Sequence, residues 1–268
     1  MRDIVSAQPS ICFSPLTKVW KKLPKHRWPL VDDLNNILDQ LPRKITNHQG
    51  KDIRFVLQLI KPKKFKDSFE PRAFERGEIL IRPNNWHDLL NALVWMTFPK
   101  CKSTLNKLNY FSLLQQNGKQ RSERGDALTL FDEDGIVVFS NKIHLMELIN
   151  NFEWKELYWN QRESVKKNMC FVVFGHALYE KMLSPRVGIT GKGILLHQPN
   201  ITKNFTLKID QVDQAIVNYL LNPSKLKHGK DFCPLPVLGV PGWFPDGNYR
   251  AFYENLNYFR SGRHQKVV

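Results

Sequence analysis

The stretch Met169–Leu183, MCFVVFGHALYEKML, decides how this chain is read. Cys170 to Phe174 is a continuous apolar run rich in β-branched and aromatic side chains, the pattern of a strand buried on both faces of a sheet. Gly175 breaks the run, and GHALYEKML then reads as a helix, so a central strand passing straight into a helix is predicted. Because Gly175 and His176 end this run, the richest in the chain, so early, nothing approaches the ~18 residues of a membrane span, and no membrane association is expected.

Upstream, ALTLF, DEDG and IVVFS (Ala127–Ser140) are predicted as two short strands joined by a tight acidic turn, with Gly135 left-handed; a helix ending at Phe131 competes. Helices are expected over Lys142–Asn150 and Trp154–Glu163, a strand at Gly193–His197 and a helix over Ile209–Leu221. Nearer the N-terminus, Pro29–Leu41 has helical spacing and is stopped by Pro42. Ile53, Phe55, Leu57 and Leu59 alternate as in a strand, and a short helix over Pro71–Arg76 closed by Gly77 precedes the strand EILI. Asn84 or Asn85 caps the next helix, with Asp88 in its first turn, and Pro99 ends it and opens another toward Gln116. Helices and strands are interspersed without strict alternation. The expectation is α+β: a basic segment over 1–28, then one domain over 29–268 that closes on an irregular Pro/Gly-rich loop.

The chain has 268 residues, 40 Lys and Arg against 25 Asp and Glu, and a formal charge of +15. The surplus sits at the ends: +5 over 1–30, +3 over 31–82, 0 over 83–180 and +7 over 181–268. KVWKKLPKHRW (Lys18–Trp28) and KPKKFK (Lys61–Lys66) could track a phosphate backbone with aromatic stacking, or could be solvated basic stretches, the first of them a partly mobile arm. A neutral middle and the absence of any recognition-element signature point to weak, non-specific nucleic-acid binding at most. Cys12, Cys101, Cys170 and Cys233 are scattered with no CxxC pair, which suits a reducing cytoplasm.

Chemistry-bearing residues fall in three places. In NNWHDLLNALVW, His87, Asn91 and Trp95 share one helical stripe; an imidazole and an amide on an aromatic-edged stripe suit either a ligand pocket or ties to the core. In FGHALYE, His176 and Glu180 stand four residues apart, able to reach one divalent ion or to form an acid–base pair, or simply to bond to each other on a helix surface. A metal would need a third ligand, drawn from Asp88, Asp126, Asp132 and Glu133; His87, His176 and Glu180 are the leading metal candidates, and a divalent metal is the cofactor these groups suit. The cluster Asp132–Gly135 lacks EF-hand spacing and reads as a turn, and GITGKG is too short for a phosphate loop. No GxSxG, HExxH or GxGxxG signature occurs, so no nucleotide cofactor is expected. Finally, CPLPVLGVPGW (Cys233–Trp243) is too apolar for a solvated loop, and must wall a pocket or staple the core.

NWHDLLNALVWMTFPK, ALTLFDEDG, FGHALYEK and PLPVLGVPGW, in this order and spacing, resemble a family of uncharacterised proteobacterial proteins, domain of unknown function, family 3025, from about Glu70 to Arg260. The resemblance implies a bacterial, cytoplasmic, single-domain protein with no assigned reaction or cofactor. It points to Trp86, His87, Asp88, Asn91, Trp95, Lys102, Asn106, Asp126, Asp132, Glu133, His176, Glu180 and the Pro234–Trp243 stretch. Two positions depart from the family pattern. Asn109 stands where it has a histidine, and Gly125, preceded by Arg124, stands where it has an arginine directly before the aspartate; a site using that histidine would be altered here. The functional expectation is a small-ligand or hydrolase-like site, with His87, His176, Glu180 and Asp88 in catalysis and Asn91, Trp95, Lys102, Asp126, Asp132 and Trp243 in binding. The rival is nucleic-acid binding without chemistry.

Overall fold

The computed structural model describes residues 10–116, 122–199 and 208–262; residues 1–9 of the basic segment lie outside them. A 3₁₀ turn over Ile11–Leu16 runs into α1 (Thr17–Trp20), and Cys12, Phe13, Leu16, Val19 and Trp20 are all buried in the common core. The expectation of a solvated arm is corrected here. Trp20 stacks on Trp86 at 6.2 Å and Trp28 meets the same ring edge-on at 5.0 Å, so burial of aromatic area holds the segment down while Lys18, Lys21, Lys22, Lys25 and Arg27 face solvent.

Next come α2 (Val31–Asp39), β1 (Arg54–Leu57), α3 (Phe69–Arg76) and β2 (Glu78–Ile81). β1 and β2 pair in parallel with Phe55 opposite Ile79, and α3 supplies the crossover. Gly77 closes α3 at φ +74°, packed against the Asp52 carbonyl, where no side chain fits.

Two consecutive helices follow, α4 (Trp86–Thr97) and α5 (Pro99–Gln116). Asn85 caps α4, its side chain accepting from the Asp88 N–H at 3.0 Å. Every residue of α4 from Asp88 to Met96 is buried.

α6 (Glu123–Asp134) and β3 (Gly135–Ser140) correct the hairpin expected over 127–140. Ser122 caps the helix by accepting from Gly125 N at 3.1 Å, and Ala127, Leu128 and Phe131 bury one face, so the 3.6-residue period prevails over the β-like composition. Asp132, Glu133 and Asp134 are therefore the last turn of a helix. Gly135 has an ordinary φ of −63° and is needed for closeness, since a Cβ there would strike the Phe131 ring and carbonyl.

The remaining elements are α7 (Ile143–Asn150), a π-helical turn over Glu156–Asn160, α8 (Arg162–Asn168), β4 (Met169–Val173), α9 (His176–Met182), β5 (Thr190–His197), α10 (Ile209–Leu221) and β6 (Cys233–Pro236). The four-stranded sheet runs β4-β3-β5-β6, so β4, expected as a central strand, is instead an edge strand, and the fully buried β3 takes the interior place. β3, buried at every position, lies antiparallel to β4 and parallel to β5, with Val137 opposite Val172 and Ile194. β6 pairs antiparallel to β5 at the edge, where Pro234 and Pro236 cost the sheet no interior bond. Its continuation is a core staple: Leu235, Val237 and Leu238 are fully buried, and Tyr253 and Tyr258 donate to the Gly239 and Ile189 carbonyls. One contiguous core joins these elements in an α+β domain. Among the described residues no helix is long and apolar enough to cross a membrane.

Candidate functional site

Three helix ends meet beside the four-stranded sheet: the first turn of α4 with His87, the first turn of α9 with His176, and the last turn of α6 with Asp132 and Glu133. Gly175 makes the approach close. Its N–H donates to the Gly135 carbonyl at 2.8 Å, and any Cβ would collide with the Glu133 carbonyl and the N–H groups of Asp134 and Gly135. α9 is thereby pressed onto the α6–β3 junction, and His176 Nδ1 comes to 2.8 Å from the Asp132 carbonyl oxygen.

That contact sets the imidazole's tautomer. A carbonyl only accepts, so His176 Nδ1 carries the proton and Nε2 presents a lone pair. Burial, reinforced by nearby Lys102, depresses the imidazole to about 3 despite the opposing Asp132 carboxylate, which keeps it neutral. His87 is oriented the same way: its Nδ1 lies 3.1 Å from Glu180 Oε2, an acceptor when ionised. The two Nε2 atoms face each other at 2.9 Å, and Glu133 Oε2 stands 3.8 Å from each. With both Nδ1 atoms protonated, two lone pairs and a carboxylate converge on one spot, which calls for a cation: a proton making His87 an imidazolium, or a metal ion. The triangle of 2.9, 3.8 and 3.8 Å has a circumradius of about 2.1 Å, inside the ~2.0–2.2 Å range for zinc bound by imidazole and carboxylate. Burial raises the Glu133 carboxyl, partly opposed by His87.

Behind this triangle runs a buried polar row from α5. Lys102, 2% exposed, donates to Asp132 Oδ1 at 2.5 Å and lies 5.7 Å over the Trp95 ring. Burial alone would raise the Asp132 carboxyl; Lys102 and His176 outweigh it and hold the group below its ordinary value. One and two turns further, Asn106 and Asn109 donate to the two Glu70 carboxylate oxygens at 2.5 and 3.4 Å. Desolvation lifts Glu70 to about 7 against the Asn106 bond. Asn91 Oδ1 and Trp95 Nε1, one and two turns along α4 from His87, are buried and without a partner among the described residues.

Of the residues singled out in the sequence, His87, His176, Glu180, Asp132, Lys102, Asn91 and Trp95 lie in or against this cluster. Asp88 does not: its carboxylate takes the Arg82 backbone N–H and guanidinium at 2.7–2.8 Å, bracing the start of α4. Asp126 is exposed in the first turn of α6, about 10 Å along the helix from Glu133 by rise alone. Trp243, 8% exposed, packs edge-on against Phe171 in the C-terminal staple, so the expected pocket wall is not part of the cluster. Glu180 holds the far nitrogen of His87, and it is Glu133 that faces both Nε2 atoms. Glu133 is one of the four third-ligand candidates of the sequence, and its place at the end of α6 is what singles it out from Asp88, Asp126 and Asp132. Glu70 carried no local signal, although the i, i+4, i+7 spacing of Lys102, Asn106 and Asn109 marks the face it meets. At the departures from the family pattern, Asn109 touches Glu70 rather than the histidines, and Gly125 donates to its helix cap.

No curated protein and no solved structure matches the chain. A family model does, over residues 53–263, which span α4, α6, α9 and every residue of the cluster just described. The chain belongs to the family described as Protein of unknown function (DUF3025).

Proposed function

We propose that this protein is a metal-dependent hydrolase acting on a small molecule, with one divalent ion held by His87 Nε2, His176 Nε2 and Glu133 Oε2. The observation carrying the reading is the single point about 2.1 Å from all three donor atoms, with each imidazole's other nitrogen held by an acceptor as metal-bound histidines require. Two histidines and one glutamate leave a coordination position for water, the arrangement of catalytic rather than structural zinc. A bound ion would lower the pKa of that water toward neutrality and polarise the bond under attack. Glu180 orients His87 and strengthens it as a ligand, while the Asp132 carbonyl does the same for His176. His87 and Glu133 are only half-buried, so the centre is open to substrate on that side. We place the protein in the bacterial cytoplasm, on the resemblance of its motifs and on four free, scattered cysteines. The rival reading, nucleic-acid binding without chemistry, keeps only the exposed Lys61–Lys66 cluster with Phe65, since Trp20 is buried and Trp28 is packed on Trp86.

Elemental analysis of protein purified without chelator and then offered Zn²⁺, Mn²⁺ or Co²⁺ tests this. About one ion per chain is expected. His87→Ala and Glu133→Gln should abolish it, and Glu180→Gln should weaken it by ~10–100-fold. Retention below about a tenth of an ion per chain under every condition would overturn the metal reading. A panel of ester, phosphoester and amide substrates on the loaded protein then tests the hydrolase reading.

A further inference from the structure

A concavity of about 330 Å³ is lined by Asp134, Lys181, Arg186, Gly188, Thr190 and Lys192, among others. Two of its lining residues are chain neighbours of residues in the centre: Asp134 directly follows Glu133 in α6, and Lys181 directly follows Glu180 in α9. The register of the sheet adds the third cation, since Lys192 of β5 stands opposite Gly135, the residue that succeeds Asp134.

The charge of this pocket is unbalanced. Lys181 donates to both Asp134 oxygens at 2.5 and 2.8 Å, so the pocket's carboxylate is taken. The side chains of Arg186 and Lys192 have no hydrogen-bond or ion-pair partner among the described residues; Arg186 is exposed and Lys192 half-buried. Three cations against one carboxylate leave +2 around a concavity, a surplus that favours an anion. Gly188, at φ +113° with open space where a Cβ would stand, turns the Arg186–Thr190 segment while keeping the cavity clear.

We propose that this pocket binds the phosphate group of a small phosphorylated compound, which extends from there to the histidine centre as its substrate. A phosphate monoester carries about −1.5 to −2 at neutral pH and offers three acceptor oxygens, matching the +2 surplus and the forked donors of Arg186. The cavity is larger than one phosphate and holds part of the organic group as well. The substrate role rests on the hydrolase reading above; the phosphate binding does not depend on it.

The test is calorimetric titration of metal-stripped protein in chelator with inorganic phosphate and with glycerol 3-phosphate, on wild type, Arg186→Gln and Lys192→Gln. Both ligands should bind, glycerol 3-phosphate at least as tightly, and each substitution should weaken them about tenfold or more. Circular dichroism and metal stoichiometry should be unchanged, because both side chains lack partners and lie outside the triangle. The proposal is overturned by no binding of phosphate up to about 10 mM, by variants that bind like wild type, by phosphate binding that excludes glycerol 3-phosphate, or by loss of binding only in His87→Ala. Loss of metal with phosphate binding intact would overturn the metal centre and leave this pocket standing.

Discussion

Asp132 serves two masters at the residue scale: its carbonyl fixes the tautomer of His176 and its carboxylate neutralises Lys102. A buried ammonium is tolerated only with its partner, so Asp132→Asn should lower stability by ~3–5 kcal/mol, and the pair Asp132→Asn with Lys102→Met should recover most of that loss. Denaturant titration of the two variants decides; a single-variant cost under about 1 kcal/mol would mean that Lys102 escapes to solvent. The second residue of interest is Trp243. It is 8% exposed and packed on Phe171, and Trp243→Ala should cost ~3–5 kcal/mol through the volume vacated in the staple. The same measurement applies, and a loss below about 1 kcal/mol would show a tryptophan that does not support the core.

Helix ends carry most of the polar work at the scale of elements. α4, α6 and α9 contribute their termini to the histidine centre, and α5 is started by a neighbour: Asp213 of α10, 2% exposed, accepts from the Lys100 and Cys101 N–H groups at 3.0 and 2.8 Å. Burial nevertheless raises Asp213 from 3.8 to about 6, the two backbone bonds offsetting only part of the desolvation. A carboxyl whose folded pKa is raised stabilises the fold below its unfolded pKa, and that contribution is lost as pH climbs through the folded value. Between pH 4 and 6 the stability of the wild type relative to Asp213→Asn should therefore fall by about 2 kcal/mol, of a total of about 3 kcal/mol over the whole titration. Denaturation midpoints of both proteins across that range provide the check. A flat difference would mean that Asp213 stays ionised in the folded protein.

Across the whole molecule the net charge is +15, and the basic Lys18–Trp28 stretch is anchored by the buried Trp20 and the partly buried Trp28. Among the described residues the charge is thus spread and no groove-reading element carries it. Binding to single- or double-stranded nucleic acid should be weak and should fall by about three to five decades from ~50 to ~200 mM salt if six or more phosphates are engaged. Fluorescence titration with labelled DNA and RNA at the two salt concentrations tests this, and affinity that survives the higher salt or prefers one sequence would contradict it.

Much of the architecture was legible from local pattern because local physics governs it. The start of α4 at Asn85, the Pro99 boundary, the Gly77 stop, the CFVVF strand and the Ile209–Leu221 helix follow from caps, backbone restrictions and periodicity within a few residues. ALTLFDEDG was misread because its composition suits a strand, whereas Ser122 and the buried face of Ala127, Leu128 and Phe131 decide for a helix. His87, His176 and Glu180 could be picked by chemistry alone. Which carboxylate faces which nitrogen could not, since Glu133 and Glu180 differ only in where three helix ends meet and in the space left by Gly175. Long-range approach of this kind depends on packing between segments 40 to 90 residues apart, and no pattern along the chain encodes the direction in which a side chain finally points.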